Sequence, residues 1–112
     1  MKFFHYNQNN SGGYFIESDE QGIGTDIIIE AENAEKANDR LRAIGNKYGS
    51  DDFWSFCDCC GERWYEQCPG DEGDDVPSFY GRPIEEEKKD TFREQVAVHY
   101  ANGNFRIWRY DD

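Results

Sequence analysis

The sequence has almost no leucine or methionine and no long apolar run. Leucine occurs once, at Leu41, and methionine once, at Met1, whereas 16% of the residues are aromatic. Because Phe, Tyr and Trp favour strands, this composition indicates a sheet-based core rather than a helical bundle. No apolar segment approaches the roughly 18 residues that a membrane span needs, and the N-terminus lacks the pattern of a signal peptide. We therefore expect a cytoplasmic protein.

Basic residues are also scarce. The 112 residues include 12 Lys and Arg against 24 Asp and Glu, which gives a formal net charge of −12. Such a charge repels nucleic-acid backbones and anionic membranes at long range. We expect neither direct nucleic-acid binding nor membrane binding, and a small ligand or a basic protein as the partner. The length predicts a single domain over residues 1–112.

The motifs of common enzyme classes are missing. The sequence contains no P-loop, dinucleotide fingerprint, H-E-x-x-H motif or nucleophile elbow. The two histidines are near the chain termini, far in sequence from the four cysteines, which disfavours a cysteine nucleophile with a histidine base. Abundant carboxylates on a solvated surface do not by themselves form a catalytic pair. We expect no enzymatic activity.

The remaining pattern predicts an α+β fold. Lys2–Tyr6 and Tyr14–Glu17 are aromatic-rich and predict a hairpin, and Thr25–Glu30 predicts a buried strand. Asn33 is a suitable N-cap for a helix that we expect to end at Gly45. We therefore predict a small antiparallel sheet of about five strands, with one helix packed on one face and an irregular, cysteine-containing middle segment.

Two further elements are predicted near the C-terminus. Pro83–Gln95 has the weak apolar stripe of a short helix. Asn102-Gly103 separates two alternating runs and predicts a two-residue type I′ turn. In that register Tyr100 is opposite Phe105, His99 opposite Arg106, Val98 opposite Ile107 and Ala97 opposite Trp108. One face would then carry His99, Arg106, Trp108 and Tyr110.

Two segments contain no carboxylate although the protein is strongly acidic. Lys2–Ile16 and Gln95–Tyr110 lack Asp and Glu, and they hold nine of the eighteen aromatic residues. Amides, aromatic rings and arginine are groups that bind nucleotides, and glycines allow an anion-binding nest. Alternatively, strand interiors simply avoid acids, and Asn and Gly simply supply turns. The candidate ligand-binding residues are Tyr6, Asn7, Gln8, Asn9, Asn10, Ser11, Gly12, Arg63, His99, Arg106, Trp108 and Arg109.

The four cysteines suggest a metal site. Cys57 and Cys60 have the C-x-x-C spacing of zinc-binding turns, and Cys68 with His5 or His99 would complete four ligands. No second C-x-x-C pair is present, so the alternative is a set of reduced thiols. Apart from this zinc, we expect no cofactor.

Four segments carry a resemblance: YNQNNSGG, EAENAEKANDR, CDCCGERWY and HYANGNFRIW. The sequence resembles a family of small tailed-bacteriophage proteins, which implies a phage origin and action in the host cytoplasm and indicates nothing about catalytic residues. Small phage proteins of this kind often counter host defence, and some sequester cyclic nucleotide immune signals. We therefore expect a non-enzymatic sponge that sequesters such a signal and assembles as a homo-oligomer. The alternative is an inhibitor whose acidic runs, Asp71–Asp75 and Glu85–Glu87, imitate DNA phosphates.

Overall fold

The computed structural model describes residues 1–9, 15–54, 56–57, 61–79, 82–83 and 96–108. The elements are β1 (Lys2–Asn7), β2 (Asp26–Ala31), α1 (Ala34–Tyr48), α2 (Ser50–Phe53), β3 (Phe56–Cys57), β4 (Gly61–Glu62), β5 (Ser78–Phe79), β6 (Arg82–Pro83), β7 (Val96–His99) and β8 (Phe105–Trp108). The main sheet has the strand order β1-β2-β7-β8, and β3-β4 and β5-β6 form two short pairs. The predicted α+β fold is confirmed.

The main sheet is mixed rather than wholly antiparallel. β1 and β2 pair antiparallel over six residues, β2 and β7 pair parallel, and β7 and β8 pair antiparallel. The chain reaches β7 only after α1 and a long connection, and such a crossover allows the parallel direction that a short hairpin forbids. The strand predicted at Tyr14–Glu17 is wrong for residues 15–17, which are not in a strand. The isoleucine-rich β2 occupies the place beside β1 instead.

Helix α1 begins where the sequence predicts and ends later. The side-chain oxygen of Asn33 accepts a hydrogen bond from the backbone N–H of Lys36 at 2.9 Å. The helix continues past Gly45 to Gly49, which has φ +130° and donates its N–H to the carbonyl of Gly45. Gly45 serves packing instead, because a Cβ there would lie 2.5 Å from the ring of Phe53. The helix end predicted at Gly45 is therefore wrong, and the helix ends at Tyr48.

The two faces of the sheet carry different apolar clusters. On one face Ile27 and Ile29 pack with Leu41 of α1, together with Phe53 and Trp64 from the middle of the chain. On the other face the buried cluster consists of Phe3, Ile28, Val96 and Val98, with Tyr100 and Trp108 packed against it. β2 is thus buried on both faces, which explains its uninterrupted run of isoleucines.

The C-terminal hairpin has a different register from the prediction. His99 pairs with Phe105, and Val98 pairs with Arg106. The backbone N–H of Gly103 donates to the carbonyl of Tyr100, and the N–H of Tyr100 donates to the carbonyl of Asn104. Tyr100 and Asn104 therefore close a three-residue loop, in which Gly103 has φ +96°, and not a two-residue type I′ turn. The extra loop residue shifts every pair by one position, and His99 changes face relative to Arg106.

The acidic run at residues 71–75 lies within the described structure, whereas most of the second predicted helix does not. Residues 71–75 are exposed, as predicted. Their backbone is nevertheless fixed, because Asp74 and Phe3 exchange two backbone hydrogen bonds of 2.8 Å at the outer edge of β1. The Lys2 ammonium also pairs with Asp75. The helix predicted over Pro83–Gln95 lies outside the described residues, except for Pro83 at the end of β6.

Candidate functional site

The first amides of the opening polar stretch make internal hydrogen bonds. Gln8 is buried, and its Nε2 donates to the carbonyls of Ile16 at 3.1 Å and Gly24 at 2.9 Å, while its Oε1 accepts from the N–H of Ile16 at 2.7 Å. The Nδ2 of Asn9 donates to the carbonyl of Glu62 at 2.7 Å. These side chains therefore tie β1 to the turn before β2 and to β4.

Asn7 belongs to a separate polar cluster at the end of β1. Its Nδ2 donates to Oδ1 of Asp26 at 3.1 Å, and Nε2 of His5 lies 2.6 Å from the same oxygen. Asp26 is fully buried, while His5 is partly buried. The carboxylate thus accepts from both neighbouring side chains of β1, an arrangement that fixes the β1-β2 register.

Arg63 lies at the centre of the opening network. Its side chain is 0% exposed, its Nε donates to the carbonyl of Asp52 at 3.1 Å, and its Nη1 donates to Oε1 of Gln8 at 3.0 Å. The backbone carbonyl of Arg63 also accepts from the N–H of Asn9 at 2.8 Å. Arg63 therefore connects three segments that are distant in sequence, and its guanidinium points into the protein.

The other predicted residues occupy several places. Tyr6 is buried on the α1 side, where its hydroxyl donates to Oδ1 of Asn38 at 2.8 Å. Arg106 is exposed on the opposite face, and its guanidinium lies 4.0 Å from the ring centroid of Trp108. β1 and β8 are at opposite edges of the main sheet, about 14 Å apart at ordinary strand spacing. The predicted residues at Asn10, Ser11, Gly12 and Arg109 lie outside the described residues.

One predicted residue, His99, lines a cavity, which we call the His99 cavity. It has a volume of about 230 Å³ and lies between the second half of α1, the turn before β2 and the β7-β8 hairpin. A cavity of about 150 Å³ is already large enough for benzene, so this one accommodates a single aromatic ring system. Its described lining residues are Glu20, Gln21, Arg40, Ala43, Ile44, Lys47, His99, Gly103 and Phe105.

His99 lines this cavity as a buried side chain. Its Nε2 lies 2.7 Å from the carbonyl oxygen of Gly22, so Nε2 carries the proton and Nδ1 carries a lone pair. Burial lowers the pKa of His99 to about 4, against the opposing effect of the Gly22 hydrogen bond, and the charge of Arg40 lowers it further. Nδ1 has no hydrogen-bond partner among the described residues, and the same holds for Oε1 of Gln21.

The remaining walls are aromatic and basic. Phe105 stands beside the imidazole, with ring centroids 5.2 Å apart, and is 37% exposed. Arg40 and Lys47 line the cavity from α1, and neither has an ion-pair partner in the part of the chain that the structure describes. The cavity thus combines two unpaired acceptors, a ring face and two cations, against one carboxylate, Glu20.

Sequence reasoning missed the basic side of α1. Lys36, Arg40 and Lys47 are separated by four and seven residues, a spacing that places them on one side of a helix. Arg40 also lines a neighbouring cavity of about 290 Å³ together with Lys36. The predicted helix and this spacing together indicate a basic side of α1, whereas the acid-free segments indicate only the strands.

The predicted zinc site falls largely outside the described residues. Cys60 and the side chain of Cys57 are not described, and Cys68 is exposed with a free thiol. His5 and His99 are committed to Asp26 and Gly22 respectively. No group of three or more potential metal ligands occurs among the residues that the structure describes.

No helix in the described part of the chain has the length and apolarity to cross a membrane.

The fold and cavity define a small α+β domain with a polar cavity between its helix and its C-terminal hairpin. The chain belongs to the family described as "Domain of unknown function (DUF7296)", whose model matches residues 1–112. No curated protein and no solved structure matches the chain.

Proposed function

We propose that this protein is a non-enzymatic binding protein that sequesters an anionic, nucleotide-type ligand in the His99 cavity. The single observation that carries the proposal is the exposed ring of Phe105 in one cavity with Arg40 and Lys47, two cations without an ion-pair partner among the described residues. A base stacks on such a ring, and a phosphate pairs with the cations. In this proposal the ligand belongs to the class of cyclic nucleotide immune signals, and the protein acts as a phage counter-defence factor in the host cytoplasm.

Charge supports the same assignment. Arg40 and Lys47 stand at the cavity in a protein with a net charge of −12, and their side chains have no carboxylate partner among the described residues. A phosphate group placed between them gains charge-assisted hydrogen bonds. The cavity holds one base, so a ligand with two or three nucleotides extends along α1 past Arg40 toward Lys36, or into a second copy of the chain.

Calorimetry tests this function. The intact protein is titrated with cyclic dinucleotides, cyclic trinucleotides and cyclic ADP-ribose isomers, and at least one is expected to bind. Arg40→Gln should weaken that binding roughly 10- to 100-fold, which is the typical effect of losing a charge-assisted hydrogen bond. The matched control is Arg106→Gln, an exposed arginine on the other face of the sheet. Absence of binding to all of these ligands by folded protein would refute the proposal.

The two arginine variants also separate two possible locations. If Arg106→Gln weakens binding and Arg40→Gln does not, the ligand binds at the Arg106–Trp108 pair and not in the His99 cavity. Unchanged products in the same solutions, followed by chromatography, are expected because the proposal includes no cleavage.

A second candidate function is inhibition of a basic host protein by the acidic run. Residues 71–75 are exposed and their backbone is anchored to β1 through Asp74. A fixed array of carboxylates imitates the spacing of phosphates better than a free tail does. Replacing Glu72 by Gln and Asp74 by Asn should abolish inhibition under this function and should leave nucleotide binding in the His99 cavity unchanged.

A further inference from the structure

A second and larger cavity lies on another side of α1, and we call it the Trp64 cavity. It has a volume of about 490 Å³, and its described lining residues are Arg42, Asn46, Trp54, Glu62, Trp64 and Glu66. Arg42 follows Arg40 by two residues, or about 200° of helix rotation, so the two cavities use different sides of the helix. The Trp64 cavity is therefore independent of the site proposed above.

The positive charge in this cavity is already neutralised. Nε and Nη2 of Arg42 each donate to Glu66 at 2.6 Å, and Nη1 donates to Asp39 at 2.9 Å. Glu62 differs, because its exposed carboxylate has no ion-pair partner among the described residues. The cavity therefore presents one available negative charge and no available positive charge.

Trp64 contributes an unused donor. It is 0% exposed and stacks on Phe53, with ring centroids 5.2 Å apart and an interplanar angle of 20°. Its Nε1 has no hydrogen-bond partner in the described part of the chain. The indole N–H is therefore a buried group next to the cavity, and its resonance is sensitive to a ligand that packs there.

Trp54 supplies an aromatic wall. It is partly exposed and packs edge-on against Phe53, with ring centroids 5.1 Å apart. Its position is fixed from the helix side as well, since a Cβ on Gly45 would lie 2.9 Å from Nε1 of Trp54. Guanidinium groups bind tryptophan faces and carboxylates at the same time, because they are planar and carry donors around their edge.

We propose that the Trp64 cavity binds an arginine side chain presented by a partner polypeptide. The guanidinium pairs with the carboxylate of Glu62 and lies against Trp54, next to the buried ring of Trp64. The net charge of −12 attracts a basic segment. Glu62 repels an anionic ligand, and a neutral ligand leaves its charge without a partner.

Nuclear magnetic resonance titration of the full ¹⁵N-labelled chain tests the proposal. The probes are the blocked pentapeptide Gly-Gly-Arg-Gly-Gly and the same peptide with neutral citrulline in place of arginine. The indole N–H signal of Trp64 is assigned by comparison with Trp54→Phe and Trp108→Phe variants. The arginine peptide is expected to shift that signal, and the citrulline peptide is expected to bind at least tenfold more weakly.

Glu62→Gln should reduce binding of the arginine peptide at least tenfold, whereas Glu17→Gln, which removes an exposed acid outside both the cavity and the acidic run, should leave it unchanged. The citrulline comparison needs no substitution, so it tests the charge requirement even if a variant loses its fold. The titration extends to about 20 mM peptide, which is sufficient to detect a millimolar Kd. An unshifted Trp64 signal over that range, or equal affinity for the two peptides, would overturn the proposal.

Discussion

Nη1 of Arg63 donates a 3.0 Å hydrogen bond to Oε1 of Gln8, and the two residues are buried although 55 positions separate them in the chain. The glutamine also holds Ile16 through two hydrogen bonds and Gly24 through one. The polar stretch that begins at Tyr6 is thus, as far as it is described, part of the scaffold. Gln8 is thus the buried partner of a buried arginine.

Replacing Gln8 by Leu should destabilise the protein by about 3 kcal/mol or more, because a buried cation and three backbone groups lose a partner. Urea unfolding followed by circular dichroism measures the change. The matched control is Gln21→Leu, where the amide oxygen has no hydrogen-bond partner among the described residues. We expect that variant to change the free energy of unfolding by less than about 1 kcal/mol. Equal effects would contradict the assigned role of Gln8.

Asn38 connects β1 to the segment after β4. Its Oδ1 accepts from the Tyr6 hydroxyl and from the N–H of Gln67, and its Nδ2 donates to the carbonyl of Gln67 at 2.9 Å. Burial also raises the pKa of Tyr6, so the hydroxyl remains a donor at ordinary pH. Asn38→Ala should therefore cost about 2 to 4 kcal/mol. Asn46→Ala, an exposed asparagine of the same helix, is the control and should cost well under 1 kcal/mol. Thermal and urea unfolding should agree on this order.

His99 should make the stability depend on pH. Its pKa is lowered to about 4 in the folded protein from about 6.5 in the unfolded chain, so the unfolded state binds the additional proton. The contribution of neutral His99 to the free energy of unfolding should be fully present above about pH 6.5, and it should be lost as the pH falls toward about 4. Between pH 7 and pH 5 the expected loss is about 2 kcal/mol, at 1.36 kcal/mol per pH unit below the unfolded pKa. His99→Gln retains a donor for the Gly22 carbonyl and should remove this part of the slope. Parallel curves for the two proteins would contradict the prediction.

Gly22 should be less tolerant of a side chain than Gly103, although both have positive φ. A Cβ on Gly22 would lie 2.7 Å from the imidazole of His99 and 2.8 Å from the ring of Phe105, whereas none of the surrounding atoms lies within 4 Å of a Cβ on Gly103. Gly103→Ala should cost about 1 kcal/mol from backbone strain alone. Gly22→Ala should cost about 3 kcal/mol, since the clash adds to the strain. Denaturant titration of the two variants provides the comparison, and equal costs would show that the rings move aside easily.

Several elements follow from interactions between residues that are close in the chain. Asn33 caps a helix with a regular apolar stripe, and three isoleucines form a buried strand. The acidic run is exposed. Capping, periodicity and charge could be predicted because they act over a few residues. The α+β class followed from the same signals.

Contacts between distant residues follow from the tertiary fold. One additional loop residue turned His99 away from Arg106, and a long crossover placed β7 parallel to β2 between the two edge strands. β1 and β8, one from each acid-free segment, therefore lie at opposite edges of the sheet, while His99 lines a cavity with Arg40 and Lys47 of the helix. Register and strand order depend on contacts between distant residues, and local sequence patterns carry no information on those contacts.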